Sequence, residues 1–220
     1  MIPARVSLAL VLLLIVIRGV AAALLPLSAD EAYYWLWSRH LAAGYFDHPP
    51  AIAWLIRAGT ALFGDTPFGV RVAGVVLSLP ASWFVWRAAA SVLKDEGSAS
   101  PAREAQVGEV AVAASAAKAG GGDKAAFAAL LFNLTLMASI ELLAATPDMP
   151  SVATSAAFVY FLARVQASGK GETGLAAHGA GASAAAAYPR ARIAPGIWWI
   201  GVGIAAGLGL LSKFSVLFLG

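Results

Sequence analysis

From Val6 to Leu25 the chain runs through apolar residues with a single charge, Arg18. A helix that crosses the hydrocarbon core of a bilayer needs about 20 such residues, and comparable tracts recur at 68–93, 125–145, 152–165 and 197–211. The fourth is short, but Pro150 and Ser151 can start it. Only 12% of the residues are charged and 60% are hydrophobic, where an average soluble domain carries about 25% charge. Mean hydropathy is +0.77. The remaining polar side chains are too few to clothe a globule of 220 residues. The sequence predicts an all-α polytopic membrane protein with about five transmembrane helices.

Cysteine is absent, which excludes disulfides, thiolate catalysis and Cys-ligated metal. The net charge of +3 is small, and the basic residues do not interleave with aromatics as a nucleic-acid groove requires. No nucleic-acid partner is expected. The basic residues serve instead as a topology signal. Lys94, Arg103, Lys118, Lys124, Lys170, Arg190 and Arg192 fall in two stretches, 94–124 and 166–195, rich in Ala, Gly and Ser, with Arg164 at the end of the span before the second. These read as low-complexity cytoplasmic loops. Residues 26–67 and the short turn 146–150 then face the opposite side, the periplasm in a Gram-negative cell. A cleavable signal peptide is the rival reading of the N-terminus. Arg18 and the spans that follow weigh against it, and Asp30 lies on the outer face either way.

The outer segment 26–67 holds most of the polar chemistry. Ser28 is a helix N-cap, followed by Asp30 and Glu31 in a first turn whose dipole favours anions. Tyr33, Tyr34, Trp35 and Trp37 suit an aromatic belt on an interfacial helix. Capping alone needs one acid, so an Asp-Glu pair beside the hydrocarbon boundary suggests use. A second polar knot, Gly44-Tyr45-Phe46-Asp47-His48-Pro49-Pro50, precedes an amphipathic helix over 51–63 that is too short to span. One Asp and one His leave a metal site unfinished. A third knot, Ala145-Thr146-Pro147-Asp148-Met149-Pro150, forms a rigid outer turn, and Glu141 lies near the outer end of the span before it. Topology taken from the basic residues alone thus gathers Asp30, Glu31, Asp47, His48, Glu141 and Asp148 on one face.

The order of these knots and spans resembles the GT-C integral-membrane glycosyltransferases. The likeness is to the family 39-like branch of protein O-mannosyltransferases and the lipid A aminoarabinose transferase. It continues into Gly207-Leu208-Gly209-Leu210-Leu211-Ser212-Lys213, similar to a glycine-rich segment with a terminal lysine in that branch. The resemblance implies transfer of a sugar from a polyprenyl-phosphate carrier to a lipid, glycan or protein acceptor on the outer face of the plasma (inner) membrane. It implies Asp30 as the general base or acceptor-orienting acid, Glu31 as its motif partner and Asp148 as the acid of the second outer loop, the three expected catalytic residues. Asp47 matches a position implicated in metal binding, with His48 beside it as the second tentative ligand; a divalent metal ion is the one cofactor left open. His48 stands where the aminoarabinose transferases have a carrier-binding lysine, a departure that weakens that assignment, because histidine is only partly charged near neutral pH. His48, Arg57, Arg71, Lys213 and Tyr34 make up the expected substrate-binding set, with Arg39 a further phosphate-neutralising candidate.

Members of that branch are longer, so residues 1–220 are read as an N-terminal part of the transferase domain, expected to be inactive alone. Two other classes compete. A transporter or flippase subunit would use Arg18, Glu141 and Lys213 as an intramembrane path, but the acids cluster at the outer interface and no inverted repeat is evident. A non-catalytic scaffold would tolerate substitution of Asp30 and Asp148 together.

Overall fold

The computed structural model describes residues 2–98, 107–178 and 195–213. Every regular element among them is a helix: α1 (Ala4–Leu24), α2 (Ala29–Arg39), α3 (Ala51–Phe63), α4 (Pro67–Ser98), α5 (Val107–Leu134), α6 (Leu136–Glu141), α7 (Asp148–His178) and α8 (Pro195–Leu210). Helix α4 is the centre of the bundle, packed by α1, α3, α5 and α7, with α8 against α7 and α2 against α3.

The side chains are arranged as a bilayer demands. On α1 the buried residues are Ser7, Val11, Ile15, Arg18 and Ala22, a stripe at helical spacings of three or four. Leu10, Leu12, Leu13, Val16, Ile17, Val20 and Leu24 point outward. An apolar exterior around a partly polar interior is stable only where the solvent is lipid. The polar interior is linked across helices: Arg18 Nη1 donates to Ser78 Oγ at 2.8 Å, and Asn133 Nδ2 donates to Ser82 Oγ at 2.8 Å, joining α1, α4 and α5. Bonds of this kind hold helices together where apolar burial cannot.

The structure corrects the predicted boundaries in three places. The tract 125–145 is not one span. Helix α5 stops at Leu134, where Thr135 takes an extended conformation and accepts from the Ala138 N–H to cap the short α6. Residues 135–147 therefore form a connection beyond the end of α5. The stretches 94–124 and 166–195, expected as loops, are partly helical: α4 continues to Ser98, α5 starts at Val107, and α7 runs to His178. Alanine is the best helix former, so an Ala-rich stretch needs no apolar stripe to coil. The rest of those stretches, 99–106 and 179–194, lies outside the described residues, as does Phe214–Gly220. Finally, the span read at 152–165 begins earlier, at Asp148. Among the described residues, Ala4–Leu24 and Pro67–Leu93 are long and apolar enough to cross a membrane, while Ala51–Phe63 and Gly196–Leu210 are shorter apolar helices.

Candidate active site

At one end of the bundle, the start of α2, the turn before α3, the connection before α7 and the end of α8 converge. Their meeting point begins with the capping of α2. Ser28 Oγ accepts from the Glu31 N–H, and the Glu31 carboxylate accepts from the Ser28 N–H at 2.9 Å, a reciprocal capping box. The same carboxylate reaches further. Its two oxygens accept from Arg71 Nε and Nη2, each at 2.6 Å, and Oε1 also accepts from the Ala145 N–H at 3.0 Å. Arg71 in turn donates to the carbonyls of Leu25 at 2.7 Å and Pro26 at 2.8 Å, with a longer bond to Ala22. One ion pair thus ties together the end of α1, the start of α2, α4 and the connection before α7.

Glu31 is 2% exposed and Arg71 4%. Burial alone pushes the Glu31 carboxyl up. The hydrogen bonds from Arg71, Ser28 and Ala145, with the Arg71 charge, outweigh it and hold the group at about 2. Two expectations change here. Glu31, expected as catalytic, and Arg71, expected to bind substrate, spend their hydrogen-bonding capacity on each other and on backbone groups. They form a brace inside the wall of the site and do not line its surface.

Asp30, the neighbour of Glu31, is exposed. Tyr34 follows one turn later and is buried against Trp37, Ile52, Ile56, Ala145 and Met149. Burial raises the Tyr34 phenol above its ordinary value, and the charges of Asp30, Asp47 and Asp148 raise it further, so all three acids act on one hydroxyl and Tyr34 stays a neutral donor. The His48 ring stands edge-on to Tyr34, centroids 5.9 Å apart. Its turn is fixed by Tyr45, which stacks on Trp37 at 4.3 Å, donates from its N–H to the His48 carbonyl and from its hydroxyl to the Trp37 carbonyl.

Lys213 comes in from the end of α8. The Leu211 carbonyl accepts from the Ala51 N–H at 3.0 Å, docking that end beside Pro50. Lys213 Nζ then pairs with Asp148 Oδ1 at 2.5 Å. Asp148 and Glu141 line the head of a groove of about 870 Å³ between α4, α5 and α7, walled by Val85, Leu131, Phe132, Val152 and Val159 and reaching Lys124 at its far end. Along α7, Asp148 to Val159 is about 16 Å at 1.5 Å per residue. Glu141 Oε2 accepts from Thr146 Oγ1 at 3.2 Å.

The remaining expected residues lie apart. Arg57 is exposed on the outward face of α3, and among the described residues no hydrogen bond or ion pair joins it to the cluster. Arg39 is bound to Asp65 at 3.2 Å. Asp47 is exposed, and among the described residues no group of three His, Cys, Asp or Glu side chains comes together to hold a metal ion. Asp47 and His48 therefore do not by themselves fit a complete metal site. Sequence reasoning missed the Glu31–Arg71 pair, whose one signal was an isolated arginine among the apolar residues of α4.

Residues 47–119 match the family model described as dolichyl-phosphate-mannose-protein mannosyltransferase. The chain's likeness is to membrane glycosyltransferases of the GT-C type. The lipid A galacturonosyltransferase RgtD of Rhizobium johnstonii is 41% identical over 61 residues, 27% of this chain and 13% of the relative. The undecaprenyl phosphate-alpha-4-amino-4-deoxy-L-arabinose arabinosyl transferase of Pseudomonas savastanoi pv. phaseolicola is 43% identical over 42 residues, 19% of this chain and 8% of the relative. The matched stretches are thus a small part of each relative's length. The family match takes in Asp47, His48, Arg57 and Arg71 and leaves Asp30, Glu31, Asp148 and Lys213 outside it. No solved structure matches the chain.

Proposed function

We propose that this chain is part of a membrane glycosyltransferase that moves a sugar from a polyprenyl-phosphate carrier to a lipid, glycan or protein acceptor on the outer face of the plasma membrane. The observation that carries the reading is the groove. A long apolar trough ends at Asp148, which is paired with Lys213, beside a wall bearing Tyr34, His48 and two exposed aspartates. An isoprenoid chain needs such a trough, and its phosphate needs a cation at the trough's head. The sugar then lies among groups able to orient a hydroxyl.

In this reading Asp30, exposed and next to the braced Glu31, takes or orients the acceptor proton. Attack at the anomeric carbon breaks the bond to the carrier phosphate, which departs as an anion and needs no proton. Lys213 neutralises it, with His48 and Arg57 as further cations. Asp148 holds Lys213 in place. Tyr34, kept neutral, offers a hydrogen bond to the sugar. Taking α1, α4, α5, α7 and α8 as the membrane-crossing helices assigns the five spans of the sequence reading to them, and the outer side to α2, α3 and the connection before α7.

A transporter path through Arg18 gains nothing from the geometry, because Arg18 is buried and its Nη1 donates to Ser78. The test is transfer of labelled sugar from a polyprenyl phosphate in vesicles carrying the gene product, wild type against Asp30→Asn. Loss of transfer with carrier binding retained supports the reading. Unchanged transfer moves the base elsewhere, and substrate movement without glycosidic-bond cleavage overturns the enzyme class.

A further inference from the structure

Glu141 is absent from the roles assigned above, yet it lines the same groove as Asp148. It stands at the end of the short α6, which follows the break at Thr135 and packs against α5 and α7. Its one hydrogen bond among the described residues is the one it accepts from Thr146. The groove it shares is walled by apolar side chains, among them Phe132, Met137 and Val152.

Resting on the glycosyl-transfer reading, we infer that Glu141 is a phosphate-contacting residue that works as a neutral acid, donating its carboxyl proton as a hydrogen bond to a phosphate oxygen of the carrier. A neutral Glu141 suits the charge count at the groove head. Asp148 is matched by Lys213. An ionised Glu141 would add an unmatched negative charge where the carrier places its own, in walls of low polarity that screen poorly. A neutral carboxyl removes that repulsion and supplies a donor in its place. Burial, and then the charge of Asp148, push Glu141 above the usual carboxylate range, while the Thr146 hydrogen bond and Lys213 pull the other way. The facing titratable groups are Asp148 from α7 and Lys213 from the end of α8. Asp47 and His48 lie on the wall around Tyr34, and Lys124 lies at the far end of the groove.

Binding is read with the methyl ester of a polyprenyl phosphate, a diester whose single charge does not titrate between pH 5 and 9 and which cannot donate a sugar. The probe is offered to the full gene product in nanodiscs. Wild-type affinity should fall as pH rises, by up to tenfold per pH step of one once Glu141 ionises in the free protein. Glu141→Gln, which keeps an N–H donor and cannot ionise, should bind about as tightly as the wild type at low pH and lose most of that dependence. Thr146→Val removes a bond that favours the ionised form, so its fall in affinity should move to higher pH, a shift that a purely structural Glu141 would not give. A Gln variant with the wild-type slope, or a Val variant with an unmoved profile, overturns the inference. Sugar transfer by the same wild-type preparation separates the two readings. Without transfer but with the expected binding pattern, Glu141 holds a lipid phosphate in a protein that is not a transferase. With transfer but no effect at Glu141, this inference alone fails.

Discussion

Removing one partner of the Glu31–Arg71 brace should cost far more than an average substitution, and its size follows from the structure. Holding a carboxyl at about 2 rather than at its ordinary 4.5 corresponds to about 3 kcal/mol favouring the ionised, paired form. Breaking a buried pair by deleting one partner costs about 3–5 kcal/mol, because the other charge stays buried and uncompensated. The two routes agree. Glu31→Ala and Arg71→Met should each lower the apparent melting temperature in detergent strongly. The double variant should lose much less than both together, leaving a coupling of about 2–3 kcal/mol. The pH dependence has a definite sign. A depressed carboxyl contributes stability that is complete above about 4.5 and is lost as pH falls towards about 2, so the wild type should weaken through that window and Glu31→Ala should not. A melting temperature unchanged in either single variant, or strictly additive losses, would refute the view of these residues as a brace.

Three further outcomes are expected. Lys213→Gln should leave stability within about 1 kcal/mol, because its pair with Asp148 is about one-third exposed on both sides. It should weaken carrier affinity by about tenfold or more, the worth of a hydrogen bond to a charged group, as read by titration of the carrier. Gly74→Ala should destabilise by about 1–3 kcal/mol: its Cβ would stand 2.5 Å from the Leu142 carbonyl oxygen and 2.7 Å from Met149 Sδ, forcing α4 away from the connection and from the start of α7, where Asp148 stands. Transfer should fall more steeply than the melting temperature if that displacement reaches the site. Thr135→Val should cost about 1 kcal/mol by removing the cap of α6, and should weaken carrier binding through Glu141; a binding constant equal to wild type would show that the break at Thr135 does not set the groove head.

Local chemistry was legible in the sequence wherever it acts over a few residues. Ser28, Asp30 and Glu31 announced the start of α2 because an N-cap and its acids lie within one turn, and the capping box was found there. The helix over 51–63 had the same bounds in sequence and structure because Pro50 and Gly64 frame it. What escaped was of two kinds. The bond from Arg71 to Glu31 spans forty positions, and that from Lys213 to Asp148 spans sixty-five; no periodicity encodes such partners. The second kind was a conflict of signals. Residues 125–145 are apolar throughout, which reads as one span, yet Thr135 can satisfy a new helix start from its own side chain and so breaks the run. In 107–124 and 166–178, small residues look like loop by polarity but coil readily by propensity.

The placement of charge explains why the acid pair is split between two jobs. Asp30 and Glu31 are adjacent, but a helix turns about 100° per residue, so one faces water when the other faces the bundle. The inward carboxylate meets Arg71 and anchors α2 to α1, α4 and the Ala145 backbone. Its neutralised pair adds no field of its own to the site beyond the wall. The outward carboxylate is thereby held on a rigid helix start and left free of any partner among the described residues, the condition a group needs to meet an acceptor hydroxyl. Exchanging the two, Asp30→Glu with Glu31→Asp, tests that division. The shorter inward acid cannot span to both Arg71 and Ala145, so stability should fall by roughly the worth of one charged hydrogen bond, about 1.5–3 kcal/mol. Restoring Glu31 alone should recover it while leaving the lengthened residue 30. Recovery from restoring Asp30 instead would reverse the assignment of the two acids.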